Sequence, residues 1–381
     1  MKSITIYQPK KLVFGAGALQ SFIEDIETSK YQRIWVLSVS ALHKKLEPVF
    51  ENLNTSERNV ILEVYRSGEP NTEDYAQYLE KVREFNPDLI VGIGGGSVLD
   101  LAKILAAMKS NTQTLDEVIG RDLLKERNTA LICLPTTSGT GSEVSPNSIL
   151  LDENTLEKKG IISPFLMPDA SYIDPVLTLS LPRKITAETS IDALSHCMEA
   201  FTNKHSHPMI DSFALKGIEL ISKNVLKTLE DPSDIEARSA VALGSMYGGM
   251  CLGPVNTAAV HALSYPLGGK FHVPHGLANA ILLPEVLSFN ISSDIAKHAE
   301  MALALGVKAG SSDFETARKG VDKVKELVRS CGVTQNLRDL GVKMEDIEML
   351  ATLGMKVKRL LDNNPREMTH SDAEEIYKRL L

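Results

Sequence analysis

At 381 residues the chain is long enough for two domains, and 43% apolar with 24% charged residues is the composition of an ordinary globular protein. A formal charge of −8 argues against nucleic acid as a partner, and basic pairs such as Lys10-Lys11 and Lys44-Lys45 are short. No apolar run approaches a membrane span, no secretory core opens the chain, and Cys133, Cys197, Cys251 and Cys331 form no Cys-x-x-Cys pair, so a cytoplasmic protein with reduced thiols and no membrane partner is expected.

The first half alternates strands and helices. Ile4–Tyr7 and Lys11–Phe14 are short β-type runs, and Gly15-Ala-Gly17 is a turn that opens a helix over Leu19–Thr28. Arg33–Leu37 is expected as a buried strand, a helix runs from Ser40 or Ala41 to Asn54, and Val60–Tyr65 is the next strand. Thr72 is expected to cap a helix ending at Phe85. Such alternation indicates βαβ units and a parallel sheet.

The strand Asp88–Ile93 runs into Gly94-Gly95-Gly96-Ser97 and then a helix carrying Asp100 and Lys103. Glycines let a diphosphate approach the backbone, and the free amides of a helix start hold it. The spacing is not G-x-G-x-x-G, and a plain tight turn is the competing reading. A second turn of glycines and hydroxyls, Pro135 to Glu143, follows the strand Ala130–Leu134. Two such turns after buried strands point to a dinucleotide lying across the strand ends. Asn147–Leu151 is expected as a strand, Glu157–Gly160 as a hairpin-like turn, and Leu181-Pro182 as the domain boundary, giving domains 1–181 and 182–381.

Beyond Pro182 the pattern becomes nearly continuous helix, an all-α domain. Helices are expected over Ala187–Thr202, His207–Leu229, Ser233–Cys251 and Asn256–Ser264, then near Ser293–Leu305, Asp313–Cys331, Met344–Leu353 and Ser371–Leu381. Ser233-x-x-Glu236 and Ser371-x-x-Glu374 fit capping boxes. Asp192 and His196 stand four apart on one helix face, so both can grip one cation. A loop with Pro266, Gly268, Gly269 and Pro274 is expected to fold His261 and His275 toward the same point. One carboxylate and three imidazoles suit Fe(II) or Zn(II) rather than Mg or Ca. His272, three residues before His275, is either a proton relay or a polar lining residue. His205 and His207 read as loop surface, and His43, His298 and His370 as solvent-facing.

The ordered motifs closely resemble the iron-containing alcohol dehydrogenase family (group III). They are Phe14-Gly-Ala-Gly17, Gly94-Gly-Gly-Ser97-x-x-Asp100-x-Ala-Lys103, Pro135 to Glu143, Asp192-Ala-x-x-His196, His261-Ala-Leu, Pro274-His275-Gly276 and Asn364-Pro365-Arg366. The resemblance implies a dehydroquinate synthase-like architecture: an α/β N-terminal dinucleotide-binding domain with a parallel sheet, an all-α C-terminal domain, and a site in the cleft. It assigns Asp192, His196, His261 and His275 as metal ligands and Gly94, Gly95, Gly96 and Ser97 as the diphosphate turn. It places Asp100 near the nicotinamide, and Thr136, Thr137, Asn147, Lys159 (with Lys158 beside it) and Leu177 along the cofactor groove. A homodimer or larger homo-oligomer is implied, with Ile4–Tyr7 at the interface.

Two departures from the family pattern matter. Many members carry histidine, a proposed proton relay, where Tyr265 stands, which leaves Tyr265, His272 or waters to move the proton. Many carry an acidic residue where Ser38-Val39-Ser40 follows the strand that includes Ile34–Leu37, and without that carboxylate NADP becomes at least as plausible as NAD. The expected activity is metal-dependent, reversible hydride transfer between NAD(P)H and a short aldehyde or ketone. Hydroxyacid–oxoacid transhydrogenation and a zinc-dependent enzyme like glycerol dehydrogenase are the alternatives; a lyase of the dehydroquinate synthase class and a nucleotide sensor rank below them.

Overall fold

The computed structural model describes residues 3–66, 68–155 and 157–381. The strands are β1 (Lys11–Phe14), β2 (Arg33–Val39), β3 (Asn59–Tyr65), β4 (Leu89–Gly94), β5 (Gly120–Arg121), β6 (Ala130–Pro135), β7 (Asn147–Asp152), β8 (Glu157–Ile162) and β9 (Ala170–Ile173). Six of them form one sheet in the order β1-β9-β6-β4-β2-β3, and every neighbouring pair is parallel. Its central strand β4 is buried along its whole length, as a strand covered on both faces must be. The helices between the strands, α1 (Ala18–Glu27), α2 (Ser40–Leu53), α3 (Thr72–Phe85) and α4 (Gly96–Met108), supply that cover. Trp35 and Leu37 pack with α3 and α4, whereas Ile34 and Val36 pack with α1 and α2, the alternation a pleated strand imposes.

Three expectations for this half change. Ile4–Tyr7 forms no strand, because it has no partner strand among the described residues. Asn71, not Thr72, caps α3: its side chain accepts from the Asp74 amide at 2.7 Å while the Asp74 carboxylate accepts from the Asn71 amide at 3.3 Å. Glu157–Gly160 is strand rather than turn, since β8 pairs antiparallel with β7 and Leu150 faces Lys159. The reversal falls earlier, where Asp152 Oδ1 accepts from the amides of Asn154 (3.0 Å) and Thr155 (3.3 Å).

Asp169 ties three segments at the start of β9. It accepts from Arg127 Nη1 at 2.6 Å, the Leu131 amide at 3.0 Å and Lys10 Nζ at 3.0 Å. Burial alone would raise its pKa, but Arg127, the Leu131 amide and Lys10 hold it below the ordinary carboxylate range. Asp169→Asn is therefore expected to cost about 2 kcal/mol at pH 7 in denaturant unfolding. A depressed pKa stabilises above the unfolded value of about 4, so the difference should persist at neutral pH and close as acid takes the pH through the lowered folded value.

The remaining elements are α5 (Arg183–Thr202), α6 (Pro208–Glu230), α7 (Ile235–Leu252), α8 (Ala259–Phe271), α9 (His275–Asn290), α10 (Ile295–Ala304), α11 (Asp313–Ser330), α12 (Ile347–Met355), α13 (Lys358–Leu361) and α14 (His370–Arg379). The chain divides into two compact units. The sheet unit holds residues 6–137 and 141–178, and the helical unit holds 179–381 with 3–5 and Ser138–Thr140. Helix caps again differ from expectation, by one or two residues. Asp234 caps α7, and Thr369 caps α14 in a capping box with Asp372. Helix α8 does not stop at Ser264 but carries Pro266 inside it and ends at His272, a left-handed cap with φ 53°. Only Val273 and Pro274 then separate it from α9.

Helix α5 is buried on nearly every face. Its neighbours approach through glycines: a Cβ on Gly248 would sit 3.2 Å from both the Ala193 carbonyl and His196 Cβ, and one on Gly217 2.5 Å from Cys197 Sγ. Among the described residues no helix is long and apolar enough to cross a membrane, and the four cysteines are buried and free of disulfides.

Candidate metal centre

Three helices of the second unit converge on one oxygen. Asp192 lies mid-way along α5, where the next turn presents His196 and the one after it Glu199 on the same face. His261 sits in the first turn of α8, and His275 is the first residue of α9. The Nε2 atoms of His261, His196 and His275 lie 3.6, 3.8 and 4.0 Å from Asp192 Oδ1. Donor atoms of Asp192, His261 and His275 all fall within 4.8 Å of one another; His196 flanks this trio, its ring stacked on that of His261 at 4.8 Å. Ligands about 2.1 Å from a common tetrahedral ion stand about 3.4 Å apart, so the spacing fits one first-row divalent cation.

The surroundings prepare the donors. Glu199, which the sequence reading did not single out, accepts from the Val260 amide with Oε1 at 2.7 Å and takes His261 Nδ1 with Oε2 at 2.5 Å. One carboxylate thus satisfies a first-turn amide of α8 and fixes the imidazole with Nε2 toward Asp192. A signal was available: Asp192, His196 and Glu199 follow an i, i+4, i+7 pattern. Asn279, one turn beyond His275, places Nδ2 2.6 Å from Asp192 Oδ1 and 3.1 Å from the Nε2 atoms of both His261 and His275. Its Oδ1 is buried without a partner among the described residues. Burial alone would raise Asp192, but the three imidazoles hold its carboxyl far below the usual range. Burial would lower His261, yet Glu199 and Asp192 push it up to about 10. A buried anion among imidazoles matches a site built for a cation.

Gly276 sets the approach of α9 to α5, because a Cβ there would lie 2.7 Å from the Glu188 carbonyl oxygen. Gly276→Ala is expected to lower stability by about 1–3 kcal/mol. It should also weaken metal retention by displacing His275, which chemical denaturation and metal analysis would read together.

The other candidates stand as follows. Tyr265 lies one turn beyond His261, its ring centroid 6.1 Å from that of His275, and its hydroxyl accepts from Arg359 Nη2 at 3.1 Å. His272 is exposed, and among the described residues its side chain makes no hydrogen bond or ring contact. His205 and His370 are exposed and His43 partly so, but His207 is buried as the cap of α6, accepting from the Met209 amide at 3.2 Å. His298 is also buried, its Nδ1 beside the Asp294 carbonyl at 2.8 Å, because α10 packs that face inward.

In the sheet unit, Gly94 ends β4, Gly95 is the extended N-cap of α4, and Gly96 and Ser97 open that helix, leaving first-turn amides without intrahelical acceptors. A Cβ on Gly94 would meet Val98 at 2.6 Å. Thr136 donates its amide to the Gly94 carbonyl at 3.0 Å, and Thr137 lies against Gly95. Asp100 accepts from Ser142 Oγ at 2.5 Å and the Ile149 amide at 2.9 Å. Lys103, wholly buried, donates to the Ser142 carbonyl at 2.8 Å. Asn147 Oδ1 is buried with no partner among the described residues. Lys159 pairs with Glu157 (3.1 Å) and Asp152 (3.8 Å), Lys158 with Glu69 at 2.6 Å, and Leu177 packs partly buried on the sheet.

A glycine-opened helix at a parallel strand end, in one chain with a carboxylate–imidazole cluster that could hold a metal, is the arrangement of a metal- and nucleotide-using enzyme. Two family models cover almost the whole chain: "Iron-containing alcohol dehydrogenase" over residues 9–175, and "Fe-containing alcohol dehydrogenase family, C-terminal" over 186–381. The long-chain-alcohol dehydrogenase 1 of Geobacillus thermodenitrificans is 33% identical over 95% of this chain and 93% of its own. A crystal structure of 1,3-propanediol oxidoreductase superposes with a TM-score of 0.95 at 28% identity over the full length of both chains. The sulfoacetaldehyde reductase of Bifidobacterium kashiwanohense, solved in complex with NAD+, superposes with a TM-score of 0.89 at 26% identity, over 100% of this chain and 99% of that one. The chain belongs to the iron-containing alcohol dehydrogenase family and is an enzyme that interconverts alcohols and aldehydes.

Proposed function

We propose that Asp192, His196, His261 and His275 hold one Fe(II) ion, with Zn(II) as the other fitting cation, and that a short aldehyde or ketone is reduced there by NAD(P)H. The observation that carries this reading is the convergence of three imidazole Nε2 atoms within 4.0 Å of Asp192 Oδ1. A bound ion supplies Lewis acidity to the substrate oxygen. Asp192 offsets the ion's charge, Glu199 keeps His261 facing it, and Asn279 holds the Asp192 oxygen in place. Tyr265, beside His275, is the better placed of the two relay candidates to pass a proton to the product alcohol, since His272 is exposed.

For the cofactor, we infer that the sheet unit, residues 6–137 and 141–178, forms the dinucleotide-binding domain. Gly94–Ser97 would hold the diphosphate, and Thr136, Thr137, Asn147, Lys159 and Leu177 would line the groove. The unpartnered Asn147 oxygen supports a ligand there. Asp100 would act through the Ser142 loop it anchors. Strand β2 ends at Val39 with no carboxylate following, so NADPH and NADH both fit. The unpaired run Ile4–Tyr7 supports a homodimer or larger homo-oligomer, which light scattering would read, and a cytoplasmic setting is the simplest.

The test is anaerobic loss of NADH and NADPH absorbance with short aldehydes, on chelated protein re-supplied with Fe(II) or Zn(II). Turnover restored by iron supports the reading and ranks the cofactors. Nucleotide binding with no turnover under either metal would sink it.

A further inference from the structure

We infer that Arg359 reads an anionic group on the substrate, so that the protein prefers short aldehydes ending in a carboxylate, sulfonate or phosphonate over neutral ones. This rests on the hydride-transfer reading above and names the substrate class of that site.

Arg359 belongs to the short helix α13, which packs with α12 along α8, the helix that carries His261 and Tyr265. It is exposed, and among the described residues its only side-chain hydrogen bond runs from Nη2 to Tyr265 Oη at 3.1 Å, with the guanidinium carbon 5.9 Å from the tyrosine ring centroid. That ring lies 6.1 Å from the ring of His275. A cation therefore stands one side chain away from a metal ligand. A guanidinium has five N–H donors, so several remain for another acceptor, and their planar fork matches an oxyanion.

The ordinary reading is a surface arginine stacked on a tyrosine. The charges nearby count against it. Asp362 lies one helical turn on, the usual partner for such an arginine, yet Arg359 makes no ion pair with it or with any other described carboxylate. Lys356 and Lys358 in the same segment make none either. Three cations in four residues without an ion pair among the described residues, in a chain of net charge −8, form a local positive field around Arg359, which Tyr265 links to His275. A neutral aldehyde gains nothing from that field, whereas one with a terminal oxyanion gains a charge-assisted hydrogen bond.

The experiment uses metal-loaded enzyme and two four-carbon aldehydes, butanal and succinic semialdehyde, which differ by the carboxylate. The expected kcat/KM ratio favours succinic semialdehyde by about 10- to 100-fold, mainly through KM. Arg359→Met should bring the ratio near one, and Arg359→Lys should restore part of it. Using the ratio within each variant cancels any general effect on Tyr265. Sulfoacetaldehyde and phosphonoacetaldehyde in the same assay identify the headgroup, and a preference for any of the three that Arg359→Met removes supports the inference. A wild-type preference for butanal with no gain for any charged aldehyde, or a ratio that Arg359→Met does not move, would overturn it while leaving hydride transfer standing. If no aldehyde is reduced, the hydride-transfer reading fails instead. Calorimetry with succinate then decides the anion site: binding lost in Arg359→Met supports it, and no binding to wild type overturns it.

Discussion

Asp192→Asn is expected to abolish metal retention and to lower turnover by at least ~10³-fold, the loss expected when the group that places the Lewis acid is removed. The substitution keeps the side chain's volume but takes the negative charge from the oxygen on which three imidazoles and the Asn279 amide converge. A neutral amide offsets none of the ion's charge, and its nitrogen cannot serve as a donor to a metal. The site is buried, so solvent cannot take over the role of the lost carboxylate. Metal analysis of the purified variant, alongside circular dichroism to confirm folding, reads this directly. A folded variant with one ion per chain and normal turnover would remove Asp192 from the site.

Glu199→Gln should weaken the metal by about 10- to 100-fold without touching a ligand. A carboxylate has two acceptor oxygens, and both are used here, one by the Val260 amide and one by His261 Nδ1. An amide has a single oxygen, so either the start of α8 or the imidazole loses its acceptor. The measurement is a competitive chelator titration, with the visible spectrum of the Co(II)-substituted protein as a second readout. An unchanged affinity and an unchanged Co(II) spectrum would mean that Glu199 serves only as a helix cap.

The pieces legible in the sequence were those set by periodicity or by strong local chemistry. Buried apolar runs marked β2, β4 and β6, the last two followed by glycine turns, and the four-residue spacing of Asp192 and His196 put two donors on one helix face. The pieces that failed depend on what the chain folds against. Ser233, Ser371 and Thr72 carry plausible capping side chains, but each lies within two residues of a rival, and tertiary placement of the first turn chose Asp234, Thr369 and Asn71. Pro266 reads as a breaker, yet the packed environment of α8 tolerates the lost ladder bond and the helix continues to Phe271. Glu157–Gly160 looked like a turn because its lysines and glycine are polar and flexible, whereas pairing with β7 makes it a strand. Asn279 and Arg359 carry no local signal at all. Each acquires its setting only when α9 meets α5, or α13 meets α8.

The close glycine contacts around α5 have an evolutionary consequence. A helix packed at backbone distance by Gly217 and Gly248 cannot accept larger side chains, nor shift to accommodate a new substrate, without unfolding its surroundings. Its amides should exchange hydrogen only on global opening. Changes in substrate range are then expected to fall on other segments rather than on α5. Libraries aimed at new specificity would gain most by sparing 183–202 and varying 354–363.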